Sequence, residues 1–369
     1  MTVPPARRAA IRHRLLSWYD AGHRRLPWRF SQGEADPYRV WLSEAMLQQT
    51  QVAVALPYYR RFVERWPTLE ALASAPDDEV LAAWAGLGYY ARCRNLLAAA
   101  RQALARHGHV PDSLEELRRL PGLGPYTAGA VASIAFGIRT PALDGNAARV
   151  MARLFLVEGA PATGETGRRL RALAGDLVPA RRPGDFNQAV MELGATVCRA
   201  RSPECPMCPL AALCLARRAG RERDIPPPRA GPRRGRILLA CAVARRREAI
   251  LLGRRHGRGL FGGLWELPAV EVRRRSEAPA ALRRGLRALL GVGAEVGEEV
   301  ARVERTLTHR DLSIAAHRCT LRGSPRAVGY SQVRWVGPDA LPTVGMATAM
   351  RKVLEAVLGA GVAEGRRGP

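Results

Sequence analysis

Glu44 stands in "WLSEAMLQQTQ", a carboxyl among apolar and amide side chains with few charges nearby. At helical spacing it shares a face with Trp41, Leu47 and Gln48. A carboxyl in such company holds its proton to higher pH and can serve as a general acid. Further along, Asp144 opens "LDGNAARVMARLF". It lies at or just before a helix N-terminus, where the positive end of the helix dipole favours the ionised carboxylate. Plain N-capping by Asp144 or Asn146 explains the same pattern and is compatible with catalysis. A protonated Glu and an ionised Asp form the pair needed for bond cleavage through an oxocarbenium ion. The acid protonates the leaving group, and the anion faces the developing positive charge.

A second constellation lies in "CRARSPECPMCPLAALC", where Cys198, Cys205, Cys208 and Cys214 follow a C-x6-C-x2-C-x5-C spacing. Disulfides, a zinc site and an iron–sulfur cluster compete for it. The chain has 7 cysteines, an odd number that suits disulfides poorly. Structural zinc sites usually pair two short knuckles; this stretch has a single C-x2-C and no histidine. Four thiolates suit a cubane cluster, but spacing alone leaves zinc open.

A third signal is "LPGLGPYTAGA", residues 120–130. Gly122 and Gly124 are expected to allow a tight turn with positive φ. Backbone N–H groups there, at the start of the next helix, can cradle a phosphate. An ordinary corner between two helices is the alternative.

These residues need elements to hold them. Residues from about 8 to 217 carry helix-compatible apolar spacing in "VWLSEAMLQQTQVAVAL", "DDEVLAAW", "YYARCRNLLAAARQALARHG", "DSLEELRRL", "YTAGAVASIAFG" and "NAARVMARLFLV". Turn signals such as "AGLG", "PGLG" and "DGN" separate them. At "RRAGRERDIPPPRAGPRRGR" the apolar period is lost, and an extended linker over 217–236 is expected. Beyond it, β-rich runs such as "ILLACAVARR" and "LSIAAHRCTL" alternate with helical "APAALRRGLRALLG" and "MATAMRKVLEAVLG". The fold class is therefore multidomain, a mostly α-helical domain followed by an α+β domain. The expected boundaries are 1–216, 217–236, 237–360 and a disordered tail over 361–369.

The 369 residues carry a formal net charge of +25, and Lys352 is the single lysine among 58 basic residues. Such an excess favours a polyanionic partner, nucleic acid above all. Biased genomic base composition is the competing source of so much arginine. Apolar runs are short and broken, so no membrane span is expected. The N-terminal residues lack the pattern of a signal peptide. A cytoplasmic protein is expected, with its thiols reduced.

Taken in order, "PYRVWLSEAMLQQTQV", "GLGYYARCRNL", "LPGLGPYTAGA", "LDGN", "MELGA" and the cysteine spacing resemble the MutY-type adenine DNA glycosylases of the helix-hairpin-helix superfamily. The resemblance covers nearly the whole chain. It implies a helix-hairpin-helix glycosylase domain, a [4Fe–4S] cluster on Cys198, Cys205, Cys208 and Cys214, and a C-terminal Nudix-like domain. It implies removal of adenine mispaired with 8-oxoguanine from double-stranded DNA, by a nucleoid-associated bacterial monomer. Glu44 then protonates adenine N7, Asp144 stabilises the oxocarbenium ion, and Asn146 orients these groups. Trp28, Arg29, Leu47 and Glu192 line the adenine pocket, Gln49 and Tyr89 fill the stack beside the lesion, Gly122 and Gly124 contact the backbone, and Gln48 also binds substrate. Lyase relatives carry a lysine where this chain has Tyr126, so a monofunctional glycosylase is implied. The alternative is an endonuclease III-like glycosylase/lyase for oxidised pyrimidines.

In the second domain, "RGLRALLGV" (284–292) falls where a Nudix box would hold magnesium. Gly285, Ala288 and Leu289 replace its carboxylates, so no magnesium site is expected. The resemblance implies recognition of the oxidised guanine by "TLTHRD", with Thr308 and His309 as the candidates. By the same resemblance, Leu307 stands where relatives often carry Phe.

Overall fold

The computed structural model describes residues 2–30, 34–161, 164–227, 235–257, 259–307 and 310–364, with side chains to residue 359. It packs as two units, Met1–Ser74 with Asn95–Ala230, and Ala75–Arg94 with Gly231–Pro369. The segment Ala75–Arg94, which the sequence reading placed among the N-terminal helices, therefore belongs by packing with the C-terminal strands.

The chain begins with α1 (Pro5–Gly22), α2 (Pro37–Leu47), α3 (Val52–Arg65) and α4 (Leu69–Ser74). Then come α5 (Asp77–Trp84), α6 (Tyr90–His107), α7 (Leu114–Arg119), α8 (Pro125–Phe136), α9 (Gly145–Phe155), α10 (Gly164–Leu177), α11 (Pro183–Thr196) and α12 (Leu215–Arg218). In the first unit, α11 packs on α1, α8 and α9, and α2 packs on α8. Start signals are explicit. The Asp36 carboxylate accepts from the N–H groups of Tyr38 and Arg39, with Pro37 in the first turn. Ser113 caps α7, accepting from Glu116 N–H. The apolar faces of α1, α9, α10 and α11 meet in one core containing Ile11, Leu15, Met151, Leu154, Leu170 and Phe186.

The continuous helical run expected from Val40 to Leu56 is interrupted. It stops at Leu47, restarts at Val52, and places Gln49 in the left-handed region at φ 57°.

The second unit holds β1 (Gly235–Val243), β2 (Arg245–Arg246), β3 (Ala249–Arg254), β4 (Trp265–Glu266), β5 (Ala269–Val272), α13 (Ala278–Leu290), β6 (Gly293–Thr306), β7 (Arg310–Arg322), β8 (Gln332–Val336) and α14 (Thr348–Glu364). One sheet runs β5-β1-β7-β6, with β1 and β7 parallel. A second joins β2, β3 and β4, with β8 on β3. Alternation along β1 sends Ile237, Leu239 and Cys241 into a core shared with Met350, Val353 and Val357 of α14. It sends Ala240 and Ala242 the other way, against Leu282, Leu286 and Leu290 of α13. Both faces of the sheet are thus covered by helix.

Two expected boundaries differ. The 217–236 stretch begins within α12 and ends within β1, and α14 runs past 360 to Glu364. Residues 228–234 and 365–369 lie outside the described residues. Lys352 lies exposed on α14.

Candidate active site and cysteine loop

Glu44, near the end of α2, is 5% exposed. Tyr126, in the first turn of α8, donates its hydroxyl to Glu44 Oε2, and its oxygen lies 3.4 Å from Met191 Sδ. Burial pushes the Glu44 carboxyl up to about 7. The Tyr126 hydrogen bond and the Arg29 charge pull it down, and the nearby Asp144 carboxylate pushes it further up. Two carboxyls on different helices, far apart in sequence, thus sit close enough to influence each other.

Asp144 caps α9. Its Oδ1 accepts from Ala147 N–H at 2.6 Å and its Oδ2 from Asn146 Nδ2 at 3.3 Å. The sequence reading expected the helix terminus to keep this group strongly acidic. Burial outweighs it, and the carboxyl lies above its ordinary value despite those donors and the Arg149 charge. The contrast with Glu44 survives. Glu44 has one hydroxyl donor and the Arg29 charge against its burial, whereas Asp144 has backbone donors, an amide and the Arg149 charge. Protons therefore collect on Glu44 first.

Asn146 bridges outward. Its Oδ1 accepts from Arg149 Nη2 at 2.9 Å, and the same guanidinium donates to Gly194 O at 2.8 Å and Cys198 O at 2.9 Å. Gly194, in "MELGA", is where α11 touches this residue, since a Cβ there would lie 2.7 Å from Asn146 Cβ.

Beside the carboxyl pair, Glu192 is 2% exposed and held by two guanidiniums. Arg24 donates through Nε and Nη2, and Arg29 through Nη2, each at 2.7 Å. Burial opposes its charge, but the two arginines hold its carboxyl down at about 2. Trp28 is buried edge-on to Tyr59, ring centroids 5.0 Å apart. Gln48 does not ride on the α2 face as expected. It is the residue after the helix, half-buried, and its amide donates to Thr127 Oγ1 at 2.9 Å. Leu47 ends α2, half-buried.

The α7–α8 turn corrects one expectation. Gly122 has φ 79°, but Gly124 has φ −68° and is the N-cap of α8. Only Gly122 needs glycine for its conformation, and a Cβ there would lie 2.8 Å from Asn95 Cβ. A Cβ on Gly124 would meet open space. Gln49 and Tyr89 are both exposed and both left-handed, at φ 57° and 47°. Non-glycine residues are rarely held so. Thr308 and His309 lie outside the described residues.

The cysteine loop leaves the end of α11 through two short 3-10 turns, Cys205–Met207 and Ala211–Leu213. All four thiols are unpaired and ring one cavity of about 310 Å³ including its open mouth, with Arg153, Glu204 and Arg217 in its wall. Among the described residues no three His, Cys, Asp or Glu side chains converge tightly enough for a single metal ion. Arg153 fastens the loop. It is 2% exposed and donates to the carbonyls of Arg199, Ala200 and Ile225 at 2.7–2.9 Å, and to Cys198 Sγ at 3.3 Å. Sequence reasoning missed Arg24, Arg149 and Arg153. A usable signal existed for the last two: arginines four apart inside the small apolar run "AARVMARLF" mark a buried face.

Residues 42–175 match the family model described as HhH-GPD superfamily base excision DNA repair protein, and residues 239–356 match the NUDIX domain model. The adenine DNA glycosylase of Homo sapiens is 37% identical over 405 residues, covering 95% of this chain and 74% of that protein. The chain belongs to the MutY-type adenine DNA glycosylase family. The Rattus norvegicus protein of the same name is 37% identical over 397 residues, 93% of this chain and 77% of its own length. A solved thermostable thymine-DNA glycosylase matches 58% of this chain and 98% of its own, at 28% identity and a TM-score of 0.52. Family membership accounts for the pairing of a helical catalytic domain with a Nudix-like one. It also favours adenine excision over the oxidised-pyrimidine alternative, since the curated relatives that span most of the chain are adenine DNA glycosylases.

Proposed function

We propose that this chain excises adenine mispaired with 8-oxoguanine from double-stranded DNA, hydrolysing the N-glycosyl bond without cutting the strand. The observation that carries the reading is the unequal carboxyl pair. Glu44 is buried and proton-loving under the hydroxyl of Tyr126, and Asp144 is close by with donors that favour its anion.

Adenine must leave the stack to be reached, at a cost of a few kcal/mol, roughly. Gln49 and Tyr89, exposed on left-handed backbone, suit the plugs that fill the gap. Glu44 gives its proton to the adenine ring nitrogen N7, so the base departs with the bonding electrons and no net negative charge. The Asp144 carboxylate faces the positive charge left on the deoxyribose. Water adds to the anomeric carbon, and its proton returns to Glu44, restoring the acid. Arg29 and Glu192 form a fixed polar wall, and Trp28 supplies an apolar one.

The cysteine loop fits a [4Fe–4S] cluster better than zinc. Four thiols line one cavity, and four thiolates suit a cubane cluster. Burial pushes the Cys208 thiol up to about 11, and a bound cationic centre would favour its thiolate form. Such a cluster would supply cross-linking of the loop; Arg199, Arg201, Arg217 and Arg218 around it offer phosphate contacts. Guanine oxidation is read by the C-terminal domain, where Thr308 and His309 are the candidates. That domain does not hydrolyse nucleotides. Residues 284–292 carry no carboxylate, and a side chain at 285 would lie 2.1 Å from Val270 Cγ1. A cytoplasmic protein acting as a monomer is part of the same proposal.

The test is a duplex with one A opposite 8-oxoguanine, incubated with protein and then alkali. A break at the adenine is expected, and Glu44→Gln should abolish it while duplex binding is kept. Full turnover by that variant would overturn the assignment. Borohydride trapping of a stoichiometric protein–DNA adduct would overturn the monofunctional reading.

A further inference from the structure

The segment Ala75–Arg94 matches the glycosylase family model in sequence, yet packs with the Nudix-like strands. Its attachment is specific. At the start of α5, the Asp78 carboxylate accepts from Trp265 Nε1, at 3.0 Å to Oδ1 and 3.1 Å to Oδ2. Trp265 is 2% exposed on β4, and the Arg334 guanidinium lies 4.1 Å from its ring centroid and 3.6 Å from Asp78. Leu81 packs against Gly345 so closely that a Cβ there would lie 2.8 Å from Leu81 Cβ.

The far end of α5 holds a turn. Trp84 Nε1 donates to Gly88 O at 3.1 Å, and Arg92 Nη2 donates to Leu87 O and Gly88 O at 3.2 and 3.3 Å. The same guanidinium stacks at 5.4 Å over the ring of Tyr89 and at 5.5 Å over Trp84. Gly86, Gly88 and Tyr89 are all held at positive φ, and the Tyr89 side chain remains exposed. A non-glycine residue stays in that region only where its surroundings over-determine it.

We propose that the C-terminal domain positions Tyr89 for insertion into the duplex, with Trp265 and Asp78 as the anchor and Arg92 as the clamp on the turn. The domain that reads the opposite base would then also set the side chain that fills the stack. Trp265, Asp78 and Arg92 are positioning residues that touch neither the base nor the reacting sugar. The inference rests on Tyr89 being the intercalating side chain of the proposed reaction.

A double-mutant cycle in the full chain tests it, since contact alone does not establish coupling. Trp265→Phe removes the N–H together with the five-membered part of the indole, and keeps an aromatic ring. It should weaken binding to the A·8-oxoguanine duplex by about tenfold, the usual worth of a hydrogen bond to a charged group. The excision rate at saturating enzyme should stay within about twofold, because the carboxyl pair is untouched. Asp78→Asn, whose amide oxygen still accepts but whose charge toward Arg334 is gone, should lose less than Trp265→Phe, and Asp78→Ala should match Trp265→Phe. In a Tyr89→Ala background the Trp265→Phe loss should vanish. Equal losses in both backgrounds, or none in either, would overturn the inference. If Trp265→Phe lowers the melting temperature so far that it cannot be assayed, Asp78→Ser takes its place under the same criterion. A native chain that excises adenine while the losses stay additive sinks this inference alone; a native chain inert on the duplex sinks the proposed function and this inference together.

Discussion

Burial holds Glu44 protonated to higher pH than an ordinary glutamate, which suits the acid role proposed for it and has two measurable consequences. Burial puts its carboxyl at about 7, so the protonated fraction falls as pH rises through that value. The single-turnover excision rate should therefore decline above about pH 7; a rate still rising at pH 9 would exclude Glu44 as the acid. The second consequence concerns stability. Unfolded, this side chain returns to about 4.5. Between that value and about 7 the folded chain holds a proton that the unfolded chain has lost. Folded stability thus falls as pH rises through this window. The loss is complete above it and on the order of 3 kcal/mol. Glu44→Gln has no proton to lose and still accepts from Tyr126. Urea unfolding should find it more stable than the native chain at pH 8, with the difference gone at pH 4. Much of this was legible in the residues. A lone carboxyl among Trp41, Ala45 and Leu47 announces its burial. The neighbour that modulates it, Tyr126, is distant in sequence, and no local spacing could bring it there.

Helix contact is set by the smallest side chains. Gly194 lets α11 close on α9 directly beneath Asn146. Gly194→Ala would force a methyl to within 2.9 Å of the Asn146 backbone. Overpacking of this kind costs about 1–3 kcal/mol. The displaced amide should slow excision by about tenfold or more, because misplacing an orienting group costs rate steeply. Thermal melting and single-turnover assays check the two parts; an unchanged rate would show that Asn146 tolerates movement. Sequence periodicity recovered most of these helices and both helices of the C-terminal domain. It erred at Gln48–Gln51, where Gln49 turns left-handed and splits a run whose apolar spacing reads as continuous. It also could not see that α5 packs with β4, since Asp78 and Trp265 carry no mutual signal along the chain. The same limit hid Arg24, Arg149 and Arg153, whose partners are mostly backbone carbonyls or a carboxylate far away in sequence.

The whole molecule carries +25 formal charges, and its affinity for duplex DNA should reflect them. Neutralising six to ten phosphates predicts a log–log salt slope on the order of −5 to −9. That amounts to a loss of roughly a thousandfold or more between 50 and 200 mM salt. Fluorescence anisotropy with an undamaged duplex would measure it, and a slope near zero would mean that contacts other than charge hold the DNA. The composition suggested a polyanionic partner but not where on the surface it docks, because the arginines are spread along both units. Lys352, exposed on α14, has a final implication. Guanidinium stays charged at every pH a cell reaches, and it is amines that attack acyl donors. Acetylation, which loosens many proteins from nucleic acid by discharging lysines, would find a single side-chain target here. If arginines hold the polymer, that grip should be insensitive to the acyl-group metabolism of its surroundings.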